Sequence, residues 1–137
     1  MMTLSEFIVK YKGQKVDFDN YAGPQCVDLF RQYNQDVYGN PRTEPLKDAK
    51  AKNIWLDYDN MPLEKKYLVK VEGRLRAGDI LVWDTGEYGH VAILLATCGD
   101  NFIVFEQDGY KQDGAKLGLL TRKGFLGALR KRMEVVL

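Results

Sequence analysis

The chain is poor in the residues that most often carry chemistry: one histidine and two cysteines among 137 residues. Two cysteines exclude a multi-cysteine zinc module and a disulfide-dense secreted scaffold. A single imidazole means that any histidine-dependent reaction must use His90. Charge of one sign is also lacking. Twenty Lys+Arg against nineteen Asp+Glu leave a net charge of +1, without the basic excess of a nucleic-acid binder. The longest apolar run, Val91 to Thr97, is far too short to span a bilayer, so no membrane insertion is expected. The start, Met1 to Phe7, has neither a basic n-region nor an apolar h-region, so no secretory signal is read. Repeats, low-complexity tracts and a Pro/Gly/Ser linker are absent. The expectation is one domain over residues 1–137, a monomer.

What is present changes character midway. Thr3-Leu4-Ser5-Glu6 spells a capping box ahead of Phe7, Ile8 and Tyr11, which predicts a short first helix. Lys12 to Gln25 is polar and reads as a loop. Apolar residues from Val27 to Val37 recur with helical period up to Gly39-Asn40-Pro41. A third short helix is expected after Pro45, carrying Ala49, Ile54 and Trp55, followed by an irregular stretch from Asp57 to Lys66. After Gly78 the runs are short, β-branched and aromatic: Ile80 to Trp83, His90 to Thr97 and Asn101 to Glu106. Leu117 to Thr121, Phe125 to Arg130 and Glu134 to Leu137 supply two or three more. Helices first and a strand meander second predict an α+β fold, N-terminal helices packed on a mostly antiparallel twisted sheet.

Cys26 lies where a Gly-containing loop meets a helix. Unpaired N–H groups and the positive end of the helix dipole favour a thiolate there. The competing reading is a small buried hydrophobe, the usual fate of a free cysteine. Gly23-Pro24 turns the chain just before it, Gln25 is a candidate amide donor to an oxyanion, and Asp28 is an odd residue to bury. Cys98, beside Gly99-Asp100, reads as a structural thiol. His90 stands at the mouth of a strand, where a side chain can enter a cleft while its backbone is held. A third group must orient the ring. A hairpin with the next strand offers Glu106 or Asp108, which alternation puts on one face, with Gln107 on the other.

Asp17, Asp19 and Tyr21 alternate in the loop before the cysteine, and Asp28 follows it. Such carboxylates and carbonyls suit calcium, although the spelling is not an EF-hand. The alternative is an exposed polar loop, with Asp28 serving the helix dipole.

Four segments in order carry a resemblance: Tyr21-Ala22-Gly23-Pro24-Gln25-Cys26-Val27-Asp28-Leu29, Gly78 to Trp83 leading to Gly89-His90-Val91-Ala92-Ile93, Val104-Phe105-Glu106-Gln107-Asp108, and Leu126 to Arg130. Together they resemble the CHAP domain, the cysteine, histidine-dependent amidohydrolase/peptidase of phage lysins and bacterial wall hydrolases. The resemblance implies a papain-like fold and hydrolysis of an amide bond in peptidoglycan, as an N-acetylmuramoyl-L-alanine amidase or an endopeptidase. By position, Cys26 corresponds to the nucleophile, His90 to the base and Glu106 to its orienter. Asp108 falls where many relatives carry Asn, and Gln25 is placed to help hold the oxyanion. Asp17, Asp19, Tyr21 and Asp28 match the calcium positions of calcium-binding phage lysins. Gly23 replaces a further side-chain ligand found in some of them.

The partner implied is bacterial peptidoglycan, with no separate wall-binding domain. Production in the host cytoplasm, with release by the phage lysis machinery or carriage on a virion, fits the missing signal. Two other classes stay open. One is an inactive, calcium-dependent wall-binding or tail structural module. The other is a papain-like peptidase acting on protein.

Overall fold

The computed structural model describes residues 1–20, 23, 25–40 and 45–133. Thr3 caps α1 (Leu4–Tyr11) as its sequence predicts: its hydroxyl accepts from the Glu6 N–H and the Glu6 carboxylate accepts from the Thr3 N–H, each at 3.1 Å. α2 (Cys26–Asp36) begins one residue earlier than the apolar period suggested, so Cys26 is its first residue.

The expected third helix breaks in two. Asp48 and Ala49 take left-handed φ of 55° and 53°, which ends a 3₁₀ turn at Lys47–Ala49, and α3 (Asn53–Leu56) follows separately. The stretch from Asp57 to Lys66 is not irregular. It forms a 3₁₀ turn at Tyr58–Asn60 and α4 (Pro62–Tyr67), with Pro62 at the first helical position. Proline is suited to that position because its missing N–H would have no partner there, yet in sequence it reads as a breaker.

Six strands follow: β1 (Leu68–Lys70), β2 (Ile80–Trp83), β3 (His90–Cys98), β4 (Asn101–Glu106), β5 (Lys116–Leu120) and β6 (Phe125–Lys131). They form one sheet in the order β1-β6-β2-β3-β4-β5, every neighbouring pair antiparallel. β1 was not expected, since three residues are too few for an alternation to show. Glu134 to Leu137 lie outside the described residues. No described helix is long and apolar enough to cross a membrane.

The sheet is buried on both faces, which explains why Ile80-Leu81-Val82-Trp83 is continuously apolar rather than alternating. Ile80, Val82, Val91, Ile93 and Phe105 pack under α1 and α2 against Phe7, Leu29, Phe30 and Tyr33. Leu81, Trp83, Ala92, Leu94, Phe102 and Val104 form the opposite core. Between Leu94 and Ala96 the β3–β4 register shifts by one residue, a bulge at Leu95. Beyond it Leu94 faces Val104, so the even-numbered residues of both strands share a face. Without the bulge, His90 and Glu106 would lie on opposite sides of the sheet.

The segment entering β2 is anchored by one ion pair. Asp79 is 1% exposed and is gripped by Arg130 of β6, Nε to Oδ1 at 2.7 Å and Nη2 to Oδ2 at 2.8 Å. Tyr33 and Tyr38 donate to the adjacent Gly78 carbonyl at 2.7 and 2.8 Å. Arg130 thus belongs to the fold. Arg130→Met should lower stability by about 3 kcal/mol in urea unfolding, because it strands a buried carboxylate.

Candidate active site

Three elements converge at one end of the sheet. α2 supplies Cys26, half-buried at its first turn. β3 supplies His90 and β4 supplies Glu106. His90 Nε2 donates to Glu106 Oε1 at 2.9 Å, and Cys26 interacts electrostatically with the same ring. The structure therefore brings together Cys26, His90 and Glu106. Of the two carboxylates that could have oriented the ring, it selects Glu106.

Asp108 is used differently. Its Oδ1 accepts from the Tyr110 N–H at 2.8 Å, closing the turn after β4, while the residue lines the cleft beside His90. That cleft has a volume of about 330 Å³ and is walled by Trp83, His90, Glu106, Asp108, Thr121 and Lys123, among others. Gln25 lies with its Cβ and Cγ against Gly109. Cys98 is exposed, a correction to its reading as a structural thiol: it closes β3 at the hairpin tip, beyond both cores.

Charge at the site follows from these contacts. Burial alone would pull the His90 pKa down. Hydrogen bonds to Cys26 and Glu106, and the charges of both, override it and lift the value from 6.5 to about 10. His90 is thus held as an imidazolium at neutral pH. Its contribution to folding is complete below about 6.5 and is lost as pH rises through about 10.

Two residues that sequence reasoning did not single out hold this geometry. Trp83 stands opposite His90 in the β2–β3 register, its ring centroid 6.1 Å from the imidazole. It is fixed by its Nε1–H donating to the Thr121 carbonyl at 2.9 Å. Gln107 is wholly buried. Its Nε2 donates to the carbonyls of Val16 (2.7 Å) and Gln25 (2.8 Å), and its Oε1 accepts from the Val16 N–H (2.9 Å). One amide thus ties the acidic loop and the residue before Cys26 to the end of β4. A polar residue two positions after core Phe105, on the same face as Phe105 and away from Glu106, was the available signal. Gly89 has φ +71°, and a Cβ there would sit 2.5 Å from the Trp83 carbonyl, so only glycine delivers the chain to His90 in this path.

The acidic loop closes on the helix. Asp17, Asp19 and Asp28 each offer an oxygen within 4.8 Å of the others; Tyr21 lies outside the described residues. Asp28 is 3% exposed and accepts from the Gln25 N–H at 2.9 Å. Burial pushes its carboxyl up to about 6; the Gln25 N–H opposes this, and the charges of Asp19 and Asp17 add to it. Asp17 Oδ1 is buried without a hydrogen-bond partner, and Arg31 pairs with Asp19 at 3.2 Å. Clustered carboxylates with an unsatisfied buried oxygen fit a hard cation.

Gln107→Leu should strand three backbone groups, two of them buried, and lower stability by about 3 kcal/mol in urea unfolding.

Comparison with known proteins agrees with this geometry. Similar solved structures include a wild-type endolysin, LysIME-EF1, at 20% identity and TM-score 0.63, covering 95% of this chain and 64% of that one. The structure of Ly7917 is similar at 18% identity and TM-score 0.64, covering 95% and 63%. A second structure, described as Ly7917 with the hydrolyzing product of MDP, is similar at 18% identity and TM-score 0.67, covering 91% and 60%. The chain therefore spans less than two-thirds of those chains, and the likeness is one of fold. A search of curated proteins finds no match. The profile of the CHAP domain matches residues 16–108, more than half of the chain and a span holding Cys26, His90 and Glu106, and the chain belongs to the CHAP domain family.

Proposed function

We propose that this chain hydrolyses an amide bond of peptidoglycan, with Cys26 as nucleophile, His90 as general acid and base, and Glu106 as orienter. The observation that carries this reading is the 2.9 Å hydrogen bond between His90 and Glu106, which line a cleft at the end of the sheet, with Cys26 of α2 interacting with the same imidazole. Peptidoglycan as the substrate draws support from the endolysin fold neighbours, one of them described with a hydrolyzing product of MDP.

The Cys26 thiolate attacks the scissile carbonyl carbon, forming a C–S bond and an oxyanion. The Cys26 N–H, at the start of α2, and the Gln25 amide would stabilise that charge. His90 gives its Nδ1 proton to the leaving nitrogen as the C–N bond breaks, and the amine departs from a thioester. The neutral ring then takes a proton from water, whose oxygen attacks the thioester carbon. The product carboxylic acid leaves, and the thiolate–imidazolium pair is restored. Throughout, Glu106 keeps the proton on Nε2 and the ring facing Cys26, the role of the third group in such triads.

Calcium is proposed at Asp17, Asp19 and Asp28. Bound there, the ion would supply the positive charge that lets three carboxylates share one site. Asp28 also holds the Gln25 N–H, so the residue before the nucleophile would be fixed along with the ion.

Two outcomes check this reading. Wild type should clear purified bacterial walls and release new amines, identified by mass spectrometry of the fragments, whereas Cys26→Ala should lose roughly 10⁴-fold or more in rate. Wild-type clearing should persist in alkali and fall as pH rises through about 10, where His90 loses its proton. Failure to clear walls of any chemotype while still binding them would favour a binding module. Chelation should lower the melting temperature by about 5 °C, with calcium restoring it in wild type but not in Asp17→Asn.

A further inference from the structure

Nothing in the catalytic line as described explains why β5 carries a glycine at its centre. Gly118 lies opposite Val104 of β4 in a five-residue strand. Glycine weakens a strand interior, having more freedom to lose and no side chain to pack, and it often marks a close approach by another group. Its φ is not in the left-handed region, which eleven other glycines occupy. The backbone at 118 therefore requires no glycine for its conformation.

The space above it would not. A Cβ at position 118 would lie 1.7 Å from Glu106 Oε2, 2.7 Å from its Cδ and 3.3 Å from its Cγ, and these three atoms are its nearest neighbours. The carboxylate whose Oε1 accepts from His90 at 2.9 Å thus rests its other oxygen over Gly118. Register alone would set Glu106 against Lys116. The Lys116 ammonium instead pairs with Asp113 at 3.2 Å, and the carboxylate leans toward His90 across the bare strand.

We propose that Gly118 is a positioning residue for the acid–base pair: by lacking a side chain it provides the seat from which Glu106 holds His90. The inference rests on the reading of that pair as catalytic and adds the feature that sets its geometry. An alanine must displace the carboxylate and separate Oε1 from Nε2. The groups then left facing the ring are Cys26 from α2 and, lining the cleft, Asp108 after β4 and Lys123 between β5 and β6.

The test uses the full chain as wild type, Gly118→Ala, Glu106→Ala and the double variant. His90 is the sole histidine, so its ring resonances can be followed by NMR without ambiguity. In Gly118→Ala the imidazole should titrate below the wild-type value of about 10, near that of Glu106→Ala. Wall hydrolysis should fall about 100-fold in kcat with KM little changed, the scale of a lost positioning contact. The double variant should be no slower than Glu106→Ala alone. An unchanged His90 titration in Gly118→Ala overturns the proposal, as does a rate penalty that persists in full without Glu106. Should Gly118→Ala fail to fold, the double variant decides. Folding and melting like Glu106→Ala supports the seat, whereas failure of both shows that the strand itself requires glycine. The titration needs no substrate, so a chain that hydrolyses no wall counts against the proposed function and leaves this test standing.

Discussion

The amide of Gln107 is the polar link that ties the N-terminal loop and the start of α2 to the sheet beside the site. Three backbone groups from the N-terminal loop and the start of α2 end on one buried side chain at the end of β4. The helix brings a thiol and the hairpin brings an imidazole–carboxylate pair. Neither element alone fixes the distance between them. A buried amide satisfied on both oxygen and nitrogen resists displacement, because losing it exposes several polar groups to an interior that offers no water.

Around that link the site is set by sheet geometry. The bulge at Leu95 puts His90 and Glu106 on the same face, Gly89 steers the chain to the ring, and Trp83 closes one side of it. Electrostatics then follows from packing. An imidazole buried beside a thiol and a carboxylate keeps its proton despite desolvation, because the two partners outweigh the burial penalty. On the other side of Cys26, three acids crowd around the start of α2. Burial and the charges of Asp19 and Asp17 disfavour the charged form of Asp28, while the Gln25 N–H favours it, and Arg31 pairs with Asp19.

Much of this was legible in the residues. The capping box of α1, the helix behind Cys26 and the strand runs from Ile80 to Glu106 each follow a local rule, and the local rule prevailed. The scarcity of histidine narrowed the base to one candidate. What escaped reading was non-local. Glu106 and Asp108 share a parity, and only the register of β3 on β4, together with a tight turn that engages Asp108, separates their roles. Gln107 carried a polarity that could be noticed but partners that could not, since they lie 82 and 91 residues away. The breaks at Asp48 and Ala49 rest on left-handed backbone that neither residue type announces. β1 is too short to have a period and exists because β6 offers it an edge.

Those sequence separations also order the events of folding. His90 and Glu106 are only 16 residues apart, on the two arms of a hairpin. The contacts that dock the N-terminal segment close loops five to six times longer, and loop closure becomes costlier with length. The β3–β4 hairpin, with its His90–Glu106 pair, is therefore the part whose loop closure costs least. The thiol comes into register with it only when the distant segment docks, so completion of the tertiary fold and assembly of the Cys26–His90–Glu106 cluster are the same event.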